Sequence, residues 1–167
     1  MSEVLYEGYG PGGTAIMLQA LTDNRNRTVS DIRSTLTKAG GNLAETGAVA
    51  WQFEQKGVIV VEADEETAEE LALVAIDAGA DDFETYQSKL NIYAAPERLE
   101  GLRKSLNDQN AVIESSEISM LPKNTIFLED KGAIQTLRLL DRLEELDDVQ
   151  RVYSNADFPD EILEQYR

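Results

Sequence analysis

Neither histidine nor cysteine occurs anywhere in the 167 residues. Their absence removes disulfides, thiol nucleophiles, zinc fingers, imidazole metal sites and every Ser-His-Asp arrangement. No apolar run approaches the ~20 residues of a membrane-spanning helix. The opening MSEVLYEG lacks the charged and then apolar pattern of a secretory leader. These absences predict a cytoplasmic protein, or a mitochondrial-matrix one in a eukaryote, with no membrane partner. Bases are scarce as well: 15 Lys and Arg stand against 32 Asp and Glu, a formal charge of -17. So acidic a surface repels phosphate backbones and gains little from free duplex DNA or anionic lipid.

What is present suits a globular fold, since hydrophobic residues make up 42% of the chain, enough for a substantial core. The charge is unevenly spread. Between Gly57 and Ser88 there are ten acidic residues and no basic one, whereas Met1 to Lys56 holds six acids against five bases. The acidic block reads first as a solvated helix face with turns. A polyanion would be met, if anywhere, around Arg25, Arg27, Arg33 and Lys38.

The apolar pattern predicts strands at Glu3 to Tyr9 and Thr14 to Leu21, separated by the glycine-rich Gly8 to Gly13. A polar loop runs from Thr22 to Arg27. Thr28 followed by Asp31 resembles a capping box, and Val29, Ile32 and Leu36 give the apolar stripe of a helix ended by Gly40-Gly41. Ala48 to Phe53 reads as a further strand. From Gly57 the order is strand (Val58 to Val61), helix (Glu65 to Ala78), strands (Asp82 to Tyr86 and Lys89 to Ala94), helix (Glu97 to Asn107) and strand (Ala111 to Ile118). That βαββαβ succession predicts a ferredoxin-like domain of four antiparallel strands with two helices on one face. Beyond it lie a short strand (Thr125 to Leu128), a helix (Lys131 to Leu146), a strand (Val149 to Tyr153) and a polar tail from Asp157. Neither flank makes a domain alone. The expected class is therefore α+β: a discontinuous α+β domain, 1–56 with 123–167, carrying an inserted ferredoxin-like domain at 57–122.

Two motifs are candidates for binding. In the glycine-rich loop, Gly10, Gly12 and Gly13 can bring backbone N–H groups near a phosphate, although the loop lacks a P-loop's Gly-Lys-Ser/Thr ending. A tight turn needing positive φ is the competing explanation. Tyr6 and Tyr9 can offer a stacking surface or pack in the core. Arg25 and Arg27 flank Asn26 ahead of the expected helix, where arginine forks and the helix N-terminus favour an anion. Alternatively they pair with Asp23, Asp31 or the acidic block, while Asn24 and Asn26 serve as turn or cap residues. The adjacent carboxylates Asp81-Asp82 and Asp147-Asp148 are the only enzyme-like feature. Neighbouring side chains diverge, no base converges on them, and no EF-hand spacing is present. Neither catalysis, a metal, a cofactor nor a small-molecule substrate is expected.

The stretches YEGYGPGGT (Tyr6 to Thr14) and LTDNRNRT (Leu21 to Thr28) resemble the YebC/PmpR family. So do Gly40-Gly41-Asn42-Leu43, Ala78-Gly79-Ala80-Asp81-Asp82, Ile118-Ser119-Met120-Leu121-Pro122 and Asp147 to Tyr153. The resemblance covers about Leu5 to Asn155. It implies the same discontinuous domain with a ferredoxin-like insert, preceded in the family by a basic helical domain that has no counterpart here. It also implies a regulator of gene expression without enzymatic activity, acting on DNA, or on rRNA and the ribosome. Under that reading Tyr9, Gly10, Gly12, Gly13, Asn24, Arg25, Asn26, Arg27, Arg33 and Lys38 form the contact face. The competing expectation is an acidic module that binds a basic protein partner without touching nucleic acid. A small-molecule-binding regulator of the ferredoxin-like kind is the weakest of the three, because no ligand motif accompanies that unit.

Overall fold

The run Ala15–Thr22 has apolar residues at successive positions, as suits a strand covered on both faces and paired along both edges. In the computed structural model, which describes residues 1–166, it is β2, between β1 (Ser2–Tyr9) and β9 (Val149–Ser154). With β3 (Asn42–Ala44) they form a sheet ordered β3-β1-β2-β9. The register sets Tyr6 opposite Leu18 and Leu18 opposite Val152. Period two then brings Tyr6, Ile16, Leu18 and Val152 to one face. Two helices cover it, α1 (Arg25–Lys38) through Ile32 and Leu36, and α4 (Asp130–Glu145) through Leu139, Leu140 and Leu143. The opposite face holds Ala15, Met17 and Glu7, all buried.

The chain divides into two compact units, Met1–Glu54 with Leu121 onward, and Gln55–Met120. The second unit takes in β4 (Phe53–Glu62) from Gln55, then α2 (Glu65–Asp77), β5 (Asp82–Tyr86), β6 (Lys89–Ala94), α3 (Leu99–Asp108) and β7 (Val112–Pro122) as far as Met120. Its strand order is β5-β6-β4-β7. Ile59 pairs with Ile92 and Val61 with Leu90 on the face that meets Ala68, Leu71, Ala72 and Ala75 of α2 and Leu102 and Leu106 of α3. The alanines let α2 lie close to the sheet. The β5–β6 turn is made by Gln87 (φ 46°) and Ser88 (φ 62°), so a tight hairpin that favours glycine is built here without one.

The remaining elements differ from the expectations in four places. Ala48 to Phe53 is not a strand: Ala50–Gln52 form a 3-10 turn and the strand begins at Phe53. The apolar run there is used to bury Val49 and Phe53, not to alternate across a pleat. The cap of α1 is Asn24, not Thr28, because the Asn24 side chain accepts from Arg27 N at 3.1 Å while Thr28 is buried inside the first turns. Arg25, Asn26 and Arg27 are thus helical, not in the loop before the helix. The three-residue β3 was not expected, being too short to carry a period. Finally, the tail contains β10 (Ala156–Asp157), parallel to β8 (Ile126–Phe127), and a short helix α5 (Asp160–Tyr166).

Candidate functional site

The first turn of α1 is built by a polar network. Asn24 N donates to Thr22 Oγ1 (2.9 Å) as its side chain caps the helix. Arg27 Nε and Nη2 grip both oxygens of Asp148 at 2.9–3.2 Å, and Nη2 also reaches Asp23 Oδ1 at 3.0 Å. Thr28 Oγ1 lies 2.7 Å from Asp148 Oδ2 and 2.8 Å from Thr22 Oγ1. Arg27, and after it Thr28, hold the Asp148 carboxyl below the usual carboxylate range, and Asp148 raises the Arg27 guanidinium in return. Asp148 is closed further into the fold by Leu21 N, which donates to its carbonyl at 2.8 Å. Arg27 is therefore committed internally, as the pairing alternative expects, with Asp148 as the partner that sequence did not suggest. Arg25, Arg33 and Lys38 are exposed and form no ion pair among the described residues. They are spread along about 20 Å of helix, and Asn26 lies exposed beside Arg25.

The glycine-rich loop is a 3-10 turn over Pro11–Gly13 in which Gly12 and Gly13 take φ of 73° and 76°. Left-handed backbone is what glycine supplies most readily. Gly10 is restricted by packing instead, since a Cβ there would come within 2.6 Å of Thr14 Oγ1. Gly12 and Gly13 are exposed and Tyr9 is half-buried at the end of β1. Tyr6 is not a surface platform: it packs against the core cluster, and its hydroxyl is buried with no hydrogen-bond partner among the described residues. The glycine loop and the α1 N-terminus both belong to the first unit, but among the described residues no hydrogen bond joins Tyr9, Gly10, Gly12 or Gly13 to Asn24–Arg27.

Two positions that sequence did not single out organise this unit. Glu7 is buried, and its carboxylate accepts from Gly47 N (2.6 Å), Val49 N (2.9 Å) and Ala50 N (2.7 Å). Burial pushes this carboxyl up, but the three amides outweigh it and hold the group below its ordinary value. Asn155, also buried, accepts from Ala15 N at 2.8 Å and donates to Gln52 Oε1 at 3.1 Å. The one sign of the first in the sequence is an acidic residue set between Tyr6 and Gly8 within a strand.

The paired carboxylates have separate occupations. Asp81 takes an ion pair from Lys56 at 2.8 Å while Asp82 caps its own strand through Phe83 N at 2.8 Å. Asp148 is the α1 anchor and Asp147 is exposed. Among the described residues, no group of three or more acidic side chains is placed to hold a metal ion. No helix of the structure is long and apolar enough to cross a membrane.

Comparison with known proteins joins these features. The family described as TACO1/YebC second and third domain matches residues 1–156. A "probable transcriptional regulatory protein" of Dehalococcoides mccartyi strain BAV1 is 53% identical over 164 residues, covering 98% of this chain and 65% of the relative. A protein of the same description from Methylacidiphilum infernorum is 49% identical over 98% of this chain and 66% of its own length. The crystal structure of a conserved hypothetical protein from Aquifex aeolicus superposes with a TM-score of 0.88 at 45% identity, over 97% of this chain and 67% of that one. This chain thus spans about 65% of the length of the curated relatives it matches.

Proposed function

Because this chain belongs to the TACO1/YebC family, matching its second and third domains, we propose that it is a non-enzymatic regulator of gene expression that works by contacting nucleic acid or the ribosome. The relatives described as transcriptional regulatory proteins support the regulatory role. We further read Gln55–Met120 as a ferredoxin-like domain inserted into a discontinuous α+β domain, near the expected limits of 57–122 and 1–56 with 123–167. The βαββαβ order and the strand order β5-β6-β4-β7 support that reading.

One observation carries the contact: Arg25 is exposed at the first position of α1 and forms no ion pair among the described residues, while Arg27 two residues on spends its charge on Asp23 and Asp148. An uncommitted guanidinium at a helix N-terminus favours phosphate. Arg33, Lys38, Asn26 and the exposed Gly12 and Gly13 extend the candidate face. The experiment is co-sedimentation with ribosomes alongside electrophoretic binding to rRNA fragments and promoter DNA. Arg25→Ala should weaken binding at an unchanged melting temperature. Undiminished binding by that variant removes the assigned contact.

The second reading, an acidic module for a basic protein partner, is favoured by the second unit, where fifteen Asp and Glu stand against five Lys and Arg. Binding to a basic ribosomal protein freed of RNA, with none to RNA or DNA, would select it.

A further inference from the structure

Trp51 is the one tryptophan of the chain, and it is 68% exposed. So large an apolar surface is normally withdrawn from water. Here it is held out by two restraints. The indole Nε1 donates to Ala48 O at 3.0 Å, so the ring's only polar atom is already satisfied within the turn. The turn itself is fixed from below by the three amides that donate to buried Glu7. What remains available is a rigid π-face with no hydrogen-bonding demand of its own.

The surroundings indicate what that face fits. Gln52, next in sequence, accepts from Lys123 N at 2.8 Å through its carbonyl, which places the Lys123 backbone beside the tryptophan turn. Lys123 is exposed and forms no ion pair among the described residues, in a chain where acids outnumber bases 32 to 15. Asn124 and Thr125, also exposed, follow it. Through Asn155, Gln52 is also linked to Ile126, beside which Phe127 is 56% exposed. An aromatic plane that asks for no hydrogen bond, on a turn whose bonded neighbour segment carries an exposed lysine and an exposed amide, matches an unpaired nucleobase with its phosphate. A duplex offers no accessible base face, and an apolar protein groove has no use for the lysine.

We propose that Trp51, with Lys123 beside it, is a stacking site for a base of single-stranded RNA. This inference rests on the nucleic-acid reading above but uses residues outside the face assigned there. Being the sole tryptophan, Trp51 reports on itself. The 167-residue chain is titrated at low salt with a short single-stranded RNA of mixed sequence, reading tryptophan emission and, in parallel, the anisotropy of a labelled copy. Stacking predicts quenching that saturates with the anisotropy curve. Trp51→Ala should then weaken binding about 5- to 150-fold, the range expected for loss of one base–aromatic stack. Trp51→Phe should keep most of the affinity, Lys123→Gln should lose a smaller part of it, and all three should keep the wild-type circular dichroism. RNA binding that leaves the emission unchanged, or that Trp51→Ala does not weaken, overturns the proposal and leaves the Arg25 face standing. Absence of any RNA binding overturns both. A response to ribosomal proteins freed of RNA, with none to RNA, would assign the ring to a protein groove and equally overturn it.

Discussion

Replacing Glu7 perturbs the buried carboxylate on which the 47–50 turn hangs. In Glu7→Ala three backbone N–H groups lose their acceptor at once. An orphaned buried donor costs about 1–3 kcal/mol. Gly47 is exposed and Ala50 half-buried, so water can reach two of the three, whereas Val49 is fully buried. The expected loss is therefore about 2–4 kcal/mol, a large share of a typical 5–15 kcal/mol. Glu7→Gln separates charge from shape. One oxygen, Oε1, serves both Val49 and Ala50, so the amide oxygen can keep those bonds while its NH2 opposes Gly47 N. Its cost should be about 1–2 kcal/mol. Urea unfolding followed by Trp51 emission reads the unit that contains both residues. Equal losses for Ala and Gln, or losses under about 0.5 kcal/mol for both, would refute the amide-cradle argument.

The Glu7 and Asp148 carboxyls are both held low, so the unfolded state binds more protons than the folded one as the pH falls past ordinary carboxylate values. Stability should be full above the ordinary carboxylate range and be lost as the pH falls through the lowered folded values, with Glu7→Gln flattening part of that slope in acid titrations followed by circular dichroism. Arg27→Ala should lower the melting temperature, because it frees Asp148 and Asp23, while Arg25→Ala should not; scanning calorimetry of the two distinguishes them. Asn155→Ala strips the acceptor from buried Ala15 N and should cost about 1–3 kcal/mol in urea. Ser88→Gly should stabilise the second unit by about 0.5–1 kcal/mol, because relief of left-handed strain of roughly 1–2 kcal/mol exceeds glycine's added unfolded-state entropy of roughly 0.5–1 kcal/mol; no gain in the thermal midpoint would remove strain at that turn.

Much of this was written in local pattern. β5 and β6 fall where the alternation and the Gln87-Ser88 break put them, and α2 and α4 announce themselves through apolar stripes. The start of α1 is ambiguous in the sequence because two cap signals compete within five residues. Thr28 with Asp31 looks like a capping box, but Thr28 is drawn inward by Asp148, 120 positions away, and the cap falls to Asn24. Ala48 to Phe53 reads as a strand because apolar residues whose amides are fixed by a distant carboxylate look locally like one. The same limit governs the site. Charge and spacing select Arg25 and Arg27 together, and only tertiary placement shows that Arg27 is occupied while Arg25 forms no ion pair among the described residues. Trp51 gave no functional signal in sequence, since an exposed ring and a core ring are spelled alike.

Whether so acidic a chain touches nucleic acid through Arg25 and Lys123 is decided by the salt dependence of its RNA affinity. Direct contacts by Arg25 and Lys123 predict that log K falls with log salt at a slope of about -0.7 per phosphate neutralised, and that each alanine substitution removes about one such contact from the slope. Affinity for RNA that is indifferent to salt, or a steep salt response seen only with a basic protein partner, would contradict such contacts.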